Sequence, residues 1–264
     1  MTTSQSGRAI GWVNTLTALL CVILIAPIFI VLALSFSDEA LLQFPPRAWS
    51  VRWYAEFFAD ARWRAALVNS LVIGLGACLI ATSVGFLAAY ALVRGRFRAK
   101  KLALSLILLP LIIPNVITAI ALYFLSSQLG LIGARPWISV AHAVIGLPIV
   151  VLILMSALQG VDENLERAAF GMGASRALTF WRVVIPLALP GVVSAALFSF
   201  LTSFDELIIA MFLAGLSAET LQTRIWNSLL MDAEPIIAAV SALLILATVL
   251  ALSIDVALRR LRRC

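Results

Sequence analysis

Residues 166–186 read ERAAFGMGASRALTFWRVVIP, a polar, helix-competent stretch set between two apolar runs. Asp162 is placed to N-cap a first short helix, with Glu163 and Glu166 in or near its positively polarised first turn. Gly171 and Gly173 end that helix, and Ser175 caps a second one that is predicted to stop before Pro186. Two short helices on a turn give a water-soluble partner something to grip, which greasy spans alone do not.

Outward from this hairpin the chain is mostly apolar. Its 264 residues are 63% hydrophobic and 12% charged, with a mean hydropathy of +1.08. A soluble domain of this length could not hide so much apolar surface, so lipid is the solvent for most of it. A helix needs about 20 apolar residues to cross a bilayer. Six stretches qualify, at about 11–36, 66–93, 102–125, 137–158, 187–213 and 236–258. The predicted fold is all-α, a polytopic membrane protein of six transmembrane helices. The first stretch is too long for a signal-peptide core and is read as a retained anchor.

The net charge of +6 is distributed as topology dictates. With the N-terminus inside, 13 of the 19 basic residues fall on the cytoplasmic side, including Arg94 and the run from Arg96 to Lys101. That bias follows the positive-inside rule, puts both termini in the cytoplasm and argues against a nucleic-acid partner. Cys21 and Cys78 lie in spans as small packing residues, and His142 is read as a satisfied histidine near the outer interface. Three unclustered cysteines and one histidine offer no metal site.

The outer segment 37–64 is crowded with aromatics in its second half, and Trp53 and Phe57 stand four apart. This predicts a short amphipathic helix at the headgroup level, serving either as an aromatic belt or as part of a docking surface for an external partner. In the second span Ala77, Ala81, Gly85 and Ala89 repeat every fourth position, a seam for close helix packing. Pro110 and Pro114 loosen the third span just before Asn115 and Thr118, which suits either a path-lining helix or a kinked packing helix.

In the fifth span Ser199, Thr202, Ser203 and Glu206 fall at i, i+3, i+4 and i+7, one helical face, with Asp205 turned about 100° away. Acids inside a span are costly and face a bundle interior or water, which makes this stripe a candidate solute path. The competing reading has the hydroxyls bonding back to their own helix and the acids lying near the outer interface. Asp255 and Arg259, four apart, are predicted to pair.

The chain has two lysines and no GxxxxGK[ST] loop, so it holds no nucleotide in the P-loop manner. No paired carboxylates, HExxH or Ser/His/Asp arrangement stands in a water-exposed loop, which argues against an enzyme. Uphill transport would then draw on an ion gradient through buried acids or on a separate motor.

The hairpin resembles the EAA signature of binding-protein-dependent ABC importer permeases: Glu-Ala-Ala, three residues, Gly, nine residues, then roughly Ile-x-Leu-Pro. Arg167, Ala168 and Ala169 occupy the first three positions, Gly173 the glycine, and Val183, Val184, Ile185 and Pro186 the ending. Where the family has the motif glutamate this chain has Arg167, with Glu166 just before it. The segments WYAEFF, LLPLIIPNV, LPIVVLI and SFDELIIAMF extend the likeness to the second permease of spermidine/putrescine-type importers.

The resemblance implies a type I importer permease fold in the bacterial inner membrane, with 1–264 as a single transmembrane permease domain and 159–186 as a cytoplasmic coupling-helix loop. It implies an ATPase subunit dimer that binds ATP and magnesium, a sister permease and an external solute-binding protein, with no cofactor in this chain. Glu166, Arg167, Ala168, Ala169, Gly173, Ile185 and Pro186 are the expected ATPase-coupling residues. Ser199, Thr202, Ser203, Asp205, Glu206 and Asn115 are the expected solute path. The implied cargo is a polyamine, or another small organic solute such as a phosphonate or opine. An ion-coupled secondary transporter working through Glu206 is the alternative from another class.

Overall fold

The computed structural model describes residues 3–231 and 234–261, without the side chains of 3–11, 251 and 254–261. The side chains of the expected Asp255–Arg259 pair and of Arg8 and Arg260 lie outside what is described, as do Arg262 and Arg263 altogether. Among those described, everything regular is helical, apart from one isolated bridge between Ser37 and Trp49. The chain divides into two compact units, residues 1–61 with 227–247 and residues 62–226 with 248–264.

The first unit contains α1 (Thr3–Leu34) and α2 (Arg52–Ala59). From Trp12 to Leu34, α1 is apolar and offers its side chains outward, as a helix solvated by lipid does. The chain then makes a closed excursion: Asp38 N–H donates to Ala48 O (3.1 Å) and Ser50 N–H to Phe36 O (2.7 Å). The Tyr54 hydroxyl donates to Ser35 Oγ (2.7 Å), and its ring lies 5.3 Å from that of Phe36. The helix predicted from Trp53 and Phe57 forms, but both aromatics are buried inside the protein rather than presented to headgroups. Trp49 and Phe58 are the exposed rings of this segment.

The second unit is built on α3 (Ala61–Arg94), α6 (Arg135–Gln159) and α9 (Ile185–Phe204). Every residue of the small stripe Ala77, Ala81, Gly85 and Ala89 on α3 is buried, and a Cβ on Gly85 would press into Val150 of α6. The approach of α6 to α9 is closer still, since a Cβ on Gly191 would overlap the Ala157 side chain. Small residues let backbones meet where lipid supplies no hydrophobic drive, so van der Waals contact holds these helices together. Cys78 adds a thiol donated to Ala196 O of α9 at 3.2 Å.

Among the described residues, four helices are long and apolar enough to cross a membrane: Trp12–Leu34, Ala61–Arg94, Arg135–Gln159 and Arg176–Phe204. The predicted third span is a bent pair. Its first arm, α4 (Lys100–Leu108), runs into a 3-10 turn (Leu109–Leu111), and the chain then swings by 94° into α5 (Asn115–Leu129). The cause is Pro114, which stands at the N-cap of α5 with an extended ψ of 132° and biases Ile113 before it away from the helical region. A loosened helix was expected; the break is complete.

Two further expectations are corrected. The second arm of the hairpin does not stop before Pro186. Its helix α8 (Arg176–Thr179) passes through a π turn (Phe180–Val184) directly into α9, with Pro186 at the second position. A proline in the first turn forfeits little, because its missing N–H falls where the widened turn has already displaced the regular ladder. The fifth span also ends earlier than predicted. α9 stops at Phe204, and a short helix, α10 (Ile208–Leu213), follows after a break. α11 (Leu221–Met231) and α12 (Ile236–Leu261) complete the chain.

Candidate functional site

The hairpin is assembled from local capping. Asp162 Oδ1 accepts from Asn164 N–H at 2.9 Å and opens α7 (Glu163–Gly171). Ser175 Oγ accepts from Leu178 N–H at 3.2 Å and opens α8. Between them Gly173 has φ 86°, the left-handed region that closes a helix, and a side chain there would be strained although the space around it is open. Both predicted caps and the predicted turn are in place.

Glu166 does not offer its charge outward. Its side chain is buried, its Oε1 accepts from Arg94 Nε at 2.7 Å, and its Oε2 accepts from the Tyr90 hydroxyl at 3.2 Å. Arg94 also donates through Nη2 to Val161 O at 2.7 Å, just before the α7 cap. A carboxylate in this setting is tolerated because both oxygens are satisfied; removing Arg94 would leave a buried charge unpaired, at about 3–5 kcal/mol.

Arg167, one residue on, points the other way. It is exposed and pairs with Glu163 Oε1 at 3.0 Å, an i,i+4 surface bridge that contributes little to stability. Ala169 is buried against the chain, while Ala168 is exposed beside Arg167. Phe170 and Met172, both exposed, form an apolar tip around the turn. The outer face of α7 thus mixes a small residue, a surface ion pair and an apolar edge, a composition suited to fitting into a groove. Ile185 and Pro186 begin α9 and carry the hairpin into the membrane-spanning helix.

The predicted solute-path stripe is divided by the structure. Ser199 and Ser203 are buried on the side of α9 that meets α6. Ser203 Oγ lies 2.8 Å from His142 Nδ1, and Ser199 lies opposite Gly146. His142 is therefore buried between two helices instead of interfacial, with its Nε2 unpartnered. Thr202 turns away and bonds back to Phe198 O at 2.9 Å.

Because α9 ends at Phe204, Asp205 and Glu206 lie beyond the helix and the i+7 position does not join the face. Glu206 Oε1 accepts from Ile209 N–H at 3.0 Å and caps α10. Asp205 is exposed and its Oδ1 accepts from Gln222 Nε2 at 3.2 Å. The connection between α10 and α11 is held by α3: Asn69 Nδ2 donates to Glu219 O (2.9 Å), and Leu221 N–H donates to Ser70 Oγ (2.8 Å). Asn115 begins α5, half-buried, and α5 packs on α10. Tyr90 and Gln222 have no part in the sequence reading. Arg94 reads from the sequence only as a topology charge, although its i,i+4 spacing from Tyr90 beside a small-residue seam marks the packed side of α3.

The helices pack through small residues, one span is broken, and a capped polar hairpin leads directly into α9, an arrangement of a polytopic membrane protein. Residues 81–263 match the family described as the binding-protein-dependent transport system inner membrane component. The chain is 32% identical over 229 residues to the putrescine transport system permease protein PotI of Escherichia coli (strain K12), covering 84% of this chain and 81% of that protein. It is 32% identical over 220 residues to the spermidine/putrescine transport system permease protein PotC of Haemophilus influenzae, covering 83% and 85%. Its fold is similar to a chain in the crystal structure of a bacterial ABC transporter involved in import of the acidic polysaccharide alginate, with TM-score 0.73, 18% identity and 97% of each chain covered.

The chain belongs to the binding-protein-dependent transport system inner membrane component family. It is a permease subunit of an ABC importer in the inner membrane and not an enzyme; ATP hydrolysis belongs to a separate ATPase.

Proposed function

We propose that this chain forms half of the translocation path of a polyamine importer and that residues 159–186 are the surface on which the ATPase subunit docks. The observation that carries this reading is the hairpin itself. It is capped at both arms, anchored inward by Glu166, and continuous through the π turn with α9. Movement of a docked partner would therefore reach a membrane helix without crossing a flexible joint. The partner ATPase dimer would bind the ATP and magnesium, a sister permease would complete the path, and an external binding protein would deliver the solute.

Six crossings with both termini cytoplasmic complete the proposal. The bent pair α4–α5 counts as one crossing. α12, with 26 residues, is about 39 Å long at 1.5 Å per residue, enough for the hydrocarbon core. The distribution of basic residues favours this orientation. For the cargo, the two relatives at 32% identity, permeases of putrescine and of spermidine/putrescine transport, favour a polyamine. Asp205, exposed beyond α9, is the acid best placed to meet a cationic solute, with Glu206 beside it.

The test is cysteine crosslinking from the exposed tip of the hairpin, through Met172→Cys, in the assembled transporter. A crosslink to the ATPase subunit is the expected result. Labelling of that cysteine from outside the cell, or no crosslink in a complex that hydrolyses ATP, would refute the docking surface.

A further inference from the structure

We propose that Tyr90 and Arg94 make the end of α3 a rigid joint that carries the motion of both hairpin arms into the membrane; this rests on reading the hairpin as the ATPase docking surface. Phe86, Tyr90 and Arg94 stand four apart on α3 and form one stripe. Arg94 and Tyr90 between them occupy both oxygens of Glu166 on α7. Arg94 also holds Val161 O, the carbonyl just before the first arm begins.

The same Tyr90 reaches the second arm. Its ring lies 5.1 Å from that of Phe180, edge to face at 78°, and Phe86 meets the other side of the arrangement at 5.6 Å and 72°. Phe180 is the first residue of the π turn that leads into α9. Tyr90 therefore joins α7 through its hydroxyl and the π turn through its ring. An apolar contact tolerates sliding, whereas short charge-assisted bonds lose strength with small changes of distance and angle. The polar triad fixes α7 to α3, and the ring cluster keeps the other arm packed on the same helix. Burying Glu166 against a half-buried Arg94 is a costly way to hold two elements together if stability were the only return, and it serves where geometry must be conserved.

The joint is tested in the assembled transporter, with its ATPase, by measuring the distance between spin labels on Asn164→Cys of α7 and Leu79→Cys of α3, with and without ATP–vanadate. Both positions are exposed. In the otherwise unaltered chain the distance distribution is expected to be the same in both nucleotide states. Tyr90→Phe keeps the ring on Phe180 and loses the hydroxyl; Arg94→Lys keeps the charge and loses the fork. In each, the nucleotide-bound distribution is expected to broaden about twofold as α7 slips against α3. A distance that changes with nucleotide in the unaltered chain, or variants that keep its narrow distribution, would overturn the joint. If Arg94→Lys fails to accumulate, Tyr90→Phe, which leaves the ion pair intact, decides alone. Failure of the ATPase to co-purify with the unaltered chain would instead overturn the docking surface, and this joint with it.

Discussion

His142 Nδ1 and Ser203 Oγ, 2.8 Å apart and 61 positions apart in sequence, form a buried polar link between α6 and α9. The other ring nitrogen of His142 has no partner, so this bond is what offsets the burial of the imidazole.

Ser203→Ala is therefore expected to destabilise the chain by about 1–3 kcal/mol, because it strands the histidine. Replacing both partners, as in Ser203→Ala with His142→Leu, should recover most of the loss, since removing a polar pair together is nearly neutral. Thermal unfolding of the purified protein in detergent checks both. A single variant that melts with the unaltered chain would show the link to be dispensable.

Gly191→Val should disturb the α6–α9 contact by about 1–3 kcal/mol, as a Cβ there meets Ala157 and neither backbone can yield freely. Gly171→Ala makes the matching control, because a Cβ at that position meets nothing within 4 Å. It should be neutral, or stabilising by about 0.5–1 kcal/mol through the helix preference of alanine. Equal melting temperatures for the two variants would contradict the close approach.

At Gly173, φ 86° is the reason for glycine. Gly173→Val should introduce about 1–3 kcal/mol of backbone strain at the turn between the arms and reduce recovery of the ATPase with the permease. Insertion into the membrane should be unaffected, and Gly173→Asn should be milder because asparagine enters the left-handed region more readily. Co-purification of the ATPase, normalised to permease in the membrane fraction, is the measurement. Full recovery with valine would remove the turn from the docking argument.

Glu206→Gln separates charge from capping, since the amide oxygen can still accept from Ile209 N–H. If the negative charge draws in a cationic solute, uptake of radiolabelled putrescine should weaken while assembly is unchanged. Glu206→Ala should add the loss of the cap, about 0.5–2 kcal/mol, visible in unfolding. Putrescine kinetics indifferent to the glutamine variant would leave Glu206 as a cap alone.

What could be read from the chain beforehand was what is local. Asp162, Ser175 and Gly173 act on backbone within three residues of themselves, so their spacing announced the hairpin correctly. The small stripe on α3 was legible for the same reason, as a period repeated along one helix. The partner of Glu166 lies 72 positions away, and no local rule could turn the carboxylate inward to Arg94 instead of outward to a docking partner. The stripe through Ser199, Thr202, Ser203 and Glu206 failed differently. Its arithmetic assumed an unbroken helix, and apolar residues on both sides of the Asp205–Glu206 pair conceal where α9 ends. Proline gave a partial signal: Pro114 announced a disturbance, but only the path of α5 reveals its 94° size.

The π turn at Phe180–Val184 has a consequence for how this chain tolerates insertions and deletions. Such a turn accommodates one residue beyond the ordinary helical repeat. Losing one residue inside it would let the backbone relax to the common winding, with the helices on either side still facing as they do. The same loss a few positions later, within Ile185–Phe204, would rotate everything beyond it by about 100° and swing Ser199 and Ser203 off the α6 side. Length variation in this span is thus permitted at its threshold and forbidden in its shaft.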